Sequence, residues 1–111
     1  MKNFIFALVV LALSGATLAA SDSYTAKVSH IRVESTYGFI SMEGTLPWAQ
    51  ELNCSSERIW VDLKDEIGKI QYNTALSAMV AGKKLYIRVH TDSTSIVYGA
   101  CKLYDLVIYS K

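Results

Sequence analysis

One stretch of this chain repeats its apolar residues at helical spacing, and most of what surrounds it alternates with the period of a strand. Tyr72, Ala75, Leu76, Met79 and Val80 recur at steps of three and four within a run of good helix formers. Asp65 and Glu66 precede that run, where negative charge complements a helix N-terminus, and Gly82 with Lys83 and Lys84 supplies a stop. The spacing predicts one amphipathic helix over 69–81 with Leu76 and Met79 turned to the core. A single helix must bury its apolar face against a sheet, so the remaining elements decide the fold.

Those elements are strands. Residues 26–33 carry Val28 on one parity and Ile31 and Val33 on the other, which requires a bulge or bend near Ser29 and His30. A turn over 36–38 and a second strand over 39–44 complete a hairpin. Residues 46–57, with the only Pro, read as a loop. Over 58–63, Ile59, Val61 and Leu63 face in while Trp60 and Asp62 face out. After the helix, Leu85, Ile87 and Val89 alternate with Tyr86, Arg88 and His90. A polar turn over 91–95, a short strand over 96–98 and a last strand over 103–109 follow. The order β-β-β-α-β-β predicts a mostly β domain, an OB-like five-stranded Greek-key barrel with a long bent first strand and a helix between strands three and four.

The first residues have a different composition. Lys2 gives one positive charge, Phe4 to Leu13 is unbroken apolar sequence, and Thr17, Leu18 and Ala19 place small residues where signal peptidase reads. This predicts a signal peptide over 1–19 and a single exported domain over 20–111, secreted or periplasmic. The apolar run is half the roughly 20 residues that a membrane anchor needs. Export gives meaning to Cys54 and Cys101. In an oxidising compartment an even count without a C-x-x-C pair predicts one structural disulfide, worth about 4 kcal/mol on the chain-entropy argument. Asn53, Cys54 and Ser55 form a glycosylation sequon whose middle residue is the bridging Cys.

Met42-Glu43-Gly44, Tyr72-Asn73 with Ala75-Leu76, Gly82, Ile87-Arg88-Val89 and the late Cys101 resemble the OB-fold B subunits of subtilase-cytotoxin and pertussis-like toxins, and small exported bacterial proteins that share their core. The resemblance spans roughly Val28 to Cys101 and implies a secreted OB-type module, in the toxins a ring of five that binds surface glycans. The toxin pattern has a further Cys in the second strand, where Ser41 and Met42 stand here. The sugar-contacting positions lie outside the matching segments.

Catalytic chemistry finds little to stand on. No serine sits in a G-x-S-x-G context, and His30 and His90 lack the spacing of a metal site, so neither metal nor cofactor is expected. Asp62, Asp65 and Glu66 lie close enough for a carboxylate pair, but a solvated loop and helix start explains them. Eleven Lys and Arg against ten Asp and Glu give no excess that would draw nucleic acid. Lys83, Lys84 and Arg88 form at most a small cationic patch. Binding is the better class, and its candidates are aromatic: all such residues but Phe4 and Phe6 follow position 19. Tyr37, Trp60 and Tyr86, with Arg88, are the candidate contacts, since outward aromatic rings stack on sugars or anchor protein interfaces. The expectation is a non-catalytic module recognising a glycan or protein surface, with Tyr86, Tyr104 and Tyr109 available to a homo-oligomer. The alternative is a small exported enzyme or enzyme inhibitor.

Overall fold

The computed structural model describes residues 22–48, 54, 57–90 and 92–110. The expected signal peptide and Asn53 of the sequon lie outside them. The chain is mostly β, with strands β1 (Ser23–Glu34), β2 (Tyr37–Met42), β3 (Arg58–Asp62), β4 (Lys84–Val89) and β5 (Cys101–Ile108) and one long helix, α1 (Glu66–Ala81). The strands close on themselves in the order β1-β2-β3-β5-β4. Closure depends on β1, whose first half pairs antiparallel with β4 and whose second half pairs with β2. The change of partner coincides with a bulge: Val28 faces Met42 and His30 faces Ser41, leaving Ser29 as the extra residue. The parity change within the strand therefore has the cause expected of it. β3 and β5 complete the ring by a parallel pairing of only two residues each, Ile59 with Cys101 and Trp60 with Lys102.

That short seam is where the disulfide lies. Cys54 and Cys101 are joined across 47 residues with their Cα atoms 5.3 Å apart, tying the 46–57 segment to the first residue of β5. The described residues of this segment reach the core. Leu46, Trp48 and Cys54 are buried in the main core with Ile40, Ile59, Val61, Leu85, Ile87 and Leu103. Trp48 is fully buried, and Tyr24 meets its ring edge to face at 6.3 Å.

The helix corrects the sequence reading in two ways. It begins at Glu66, a turn before Lys69, with Asp65 at its N-cap. Its core face is Gly68, Ala75 and Ala78, with Tyr72 and Met79 half-buried, whereas Leu76 is 37% exposed and Val80 is exposed. At its first turn the helix lies so close to β3 that no side chain fits: a Cβ on Gly68 would stand 1.9 Å from the Asp62 carbonyl oxygen. The stop is the one predicted. Gly82 adopts φ 66°, and its N–H and that of Lys83 reach back to the last carbonyls, the Lys83 bond at 2.9 Å to Ala78.

Two turns also differ from expectation. The hairpin turn is Ser35–Thr36, one residue earlier than read, so Tyr37 and Gly38 belong to β2. The polar turn holds a 3-10 turn, Ser93–Ser95, and in place of a strand over 96–98 there is only an isolated bridge of Val97 with Ala100 around a two-residue reversal at Tyr98 and Gly99.

Candidate functional site

β2 and β3 turn their inward residues to the main core and present Tyr37, Phe39 and Trp60 on the opposite face. Phe39 and Trp60 are direct cross-strand partners, and Tyr37 sits one diagonal step away, its ring 5.5 Å from Trp60. Parity predicted the direction of Trp60, but not its surroundings. It is 7% exposed, because residues 93–100 fold across it. Its indole N–H donates to the Ser95 carbonyl at 2.8 Å, satisfying the one polar atom that burial would otherwise strand. Trp60 is thus the floor of this face, and Phe39, 1% exposed, lies beside it.

The covering segment ends in a tight reversal. Val97 and Ala100 exchange both backbone hydrogen bonds, at 3.1 and 2.8 Å, around Tyr98 (φ 49°) and Gly99 (φ 77°). Positive φ at both central residues is the type I′ pattern. Glycine adopts it freely, whereas a tyrosine there costs roughly 1–2 kcal/mol against its Cβ. What the reversal achieves is the placing of one ring: Tyr98 is 66% exposed and meets Tyr37 edge to face at 5.7 Å and Phe39 at 6.3 Å. Two cations frame the cluster, Arg58 with its guanidinium 4.1 Å from the Phe39 ring centre and Lys102 with its ammonium 5.2 Å from that of Trp60. The result is a surface with exposed and half-buried aromatic rings over a buried aromatic floor, flanked by positive charge.

The other two candidates lie elsewhere. Tyr86 and Arg88 are half-buried on β4, and no ring contact joins them to Tyr37 or Trp60. Arg88 is committed to Asp105 on β5, its register partner, through Nε to Oδ1 at 2.8 Å and a second bond from its terminal nitrogen to Oδ2. This two-point pairing raises the affinity of the guanidinium for its proton and holds the Asp105 carboxyl below the usual carboxylate range. Arg88 also lies over the Tyr104 ring at 5.0 Å, and His90 meets that ring at 5.2 Å. The arrangement fastens β4 to β5 and leaves the Arg88 fork occupied.

Two of the acidic residues near the helix start have structural partners. Asp62 Oδ1 accepts the Lys64 N–H at 2.9 Å and Glu66 Oε1 pairs with the Lys69 ammonium at 3.3 Å, while Asp65 stands at the N-cap position without a side-chain bond to the helix. Asp92 is held ionised to lower pH chiefly by the Thr94 hydroxyl at 2.7 Å. Among the described residues no group of His, Cys, Asp and Glu is arranged to hold a metal ion, and no helix is long and apolar enough to cross a membrane.

The structure brings the sequence candidates Tyr37 and Trp60 together, and sequence reasoning missed Phe39, Arg58, Tyr98 and Lys102. Phe39 was within reach, since it shares the outward parity of Trp60 on a neighbouring strand. Tyr98 had a weaker signal in the glycine that follows it. The chain matches no family model, no curated protein and no solved structure.

Proposed function

We propose that this protein is an exported, non-catalytic binding module built on an OB-type Greek-key barrel, and that it recognises a glycan through the Tyr37–Tyr98 aromatic face, as its likeness to toxin B subunits suggests. Support for the barrel type comes from the ring order, the shared first strand, the parallel β3–β5 contact and the helix between β3 and β4. Support for export comes from the leader-like N-terminus and from the Cys54–Cys101 disulfide, which persists in an oxidising compartment.

The observation that carries the reading is Tyr98. A large ring held in solvent by a backbone conformation unfavourable to it, braced by Tyr37 and Phe39, spends stability on presentation. The apolar face of a sugar ring stacks on such an aromatic surface, and Lys102 and Arg58 border it at distances from which a cation acts on the same rings.

The test is a glycan array followed by titration, with wild type compared to Tyr98→Ala and Tyr86→Ala. Trp60 is a poor probe because its removal opens the floor. Saturable binding that falls about tenfold or more in Tyr98→Ala, equivalent to roughly 1.4 kcal/mol, and is retained in Tyr86→Ala supports the proposal. Absence of saturable glycan binding, or binding indifferent to Tyr98→Ala, refutes it. A protein ligand displaced by the same substitution would replace the glycan with the other surface considered from the sequence.

A further inference from the structure

On a different side of the molecule, a cleft of about 520 Å3 runs between α1 and β5, lined by Ile67, Ile70 and Thr74 on the helix and Tyr104, Leu106 and Ile108 on the strand. Ile67 and Ile70 are each 60% exposed there. The strand side of the cleft is a backbone edge. β5 pairs with β3 only at Cys101 and Lys102, and from Leu103 onward its one strand neighbour is β4. The Tyr109 N–H donates to the Lys84 carbonyl at 3.2 Å, which sets the phase of that ladder. In antiparallel pairing alternate residues turn their N–H and C=O to the partner strand. Asp105 and Val107 therefore face β4, and Tyr104, Leu106 and Ile108 turn their backbone groups to the cleft. The Tyr104 carbonyl agrees with this phase, since it accepts a bond from Gln71 Nε2 on the helix at 3.0 Å. Among the described residues, the backbone groups of Leu106 and Ile108 have no partner on that side.

We propose that this cleft receives an extended segment of a partner protein, which adds to β5 as a strand and sets alternate apolar side chains against Ile67 and Ile70. A row of unpaired backbone donors and acceptors is matched by another extended main chain and by little else. The chemistry of the side chains follows from charge. Asp105, the charged residue on the wall, is already neutralised by Arg88, so the complement is uncharged and apolar. Size selects a single strand over a second copy of this chain. A stable dimer buries about 800 Å2 on each partner, whereas this cleft, at about 520 Å3, has the size of a small-ligand site.

The test uses an array of immobilised heptapeptides carrying Val, Ile, Leu or Phe at alternate positions with Ser and Thr between. The best binder is then titrated by fluorescence anisotropy beside a version N-methylated at alternate amides, which cannot join a ladder. Expected are saturable binding, a loss of about tenfold or more on N-methylation, a similar loss in Ile70→Lys, and slowed hydrogen exchange at the Leu106 and Ile108 amides. Because Ile70 is exposed, its variant keeps the fold, and Tyr98→Ala should leave peptide binding unchanged. Equal affinity for the methylated peptide, no binding by the array, or unchanged exchange at Leu106 and Ile108 overturns the proposal. So does a particle mass that doubles with concentration and reverts in Ile70→Lys, since the occupant would then be a second copy.

Discussion

Replacing Gly68 by alanine tests the closeness of the helix to the sheet, because local and tertiary effects predict opposite signs. Within a helix, alanine is favoured over glycine by about 0.5–1 kcal/mol through the smaller entropy lost on folding. Gly68 lies in the first turn of α1, where the chain has just left β3, and its missing side chain is the reason the two elements can touch. An added Cβ meets the Asp62 carbonyl oxygen at 1.9 Å, its carbon at 2.8 Å and the Asp62 nitrogen at 3.1 Å. All three atoms are backbone, so no side-chain rotation relieves the contact. Asp62 is also fixed, since its carbonyl accepts the Asp65 N–H at 3.2 Å and its carboxylate the Lys64 N–H at 2.9 Å. Overpacking costs about 1–3 kcal/mol where surroundings yield, and here backbone must move, so Gly68→Ala should lose about 2 kcal/mol or more after the propensity gain. Urea unfolding followed by the fluorescence of buried Trp48 and Trp60 measures it, with the slope checked for constancy. A variant as stable as wild type, or more so, would show that α1 stands farther from β3 than described.

Replacing both Cys54 and Cys101 by serine should cost about 4 kcal/mol for a loop of 47 residues, read as a lowered urea midpoint, and a loss under about 1 kcal/mol would mean that the seam holds without the bridge. Leu76→Ala should change stability by no more than about 0.5–1 kcal/mol because the side chain is 37% exposed, while Ala78→Leu on the buried face should cost about 1–3 kcal/mol; the reverse ranking would restore the helix face read from the sequence. Asp105 has a folded pKa depressed by its hydrogen bonds from Arg88, so its contribution is present above the unfolded carboxylate value near 3.9 and is lost as pH falls below it. Asp105→Asn should therefore flatten the acid limb of the stability profile, and an unchanged limb would show that this pair does not couple folding to pH.

What could be read from the residues follows from how each signal arises. The strands were legible because inward positions carry large apolar residues at period two, as in Leu85, Ile87 and Val89, all buried. The bulge at Ser29 was legible because a change of parity within a strand has few causes. The helix was legible as an element and only in part as a face. Of the periodic residues, Ala75 is buried and Tyr72 and Met79 pack against the core, but Leu76 and Val80 are exposed, and Gly68 and Ala78, which carry no periodic signal, are buried. Close approach selects small residues, and a hydrophobic pattern cannot distinguish a small residue chosen for fit from a neutral one. Trp48 was missed for a related reason: within a segment of no period, a single aromatic residue has no neighbour in sequence to reveal that it reaches the core.

The same distinction between direction and environment decides where recognition is sought. Alternation gave Trp60 the outward face of β3, and that is its direction, yet the face is covered by residues that alternation on β3 cannot report. Residues 93–100 return across β2 and β3 after β4 and turn an exposed aromatic pair into a floor. The cover is short and ends in a reversal that needs positive φ at two successive positions. Asparagine or aspartate before glycine would satisfy that geometry at lower cost, and would leave Tyr37 and Phe39 without their third ring. A tyrosine at position 98 is therefore accounted for by what its ring does at the surface rather than by what its backbone does in the turn. The proposed recognition therefore rests on the residue whose local preference is most plainly overruled.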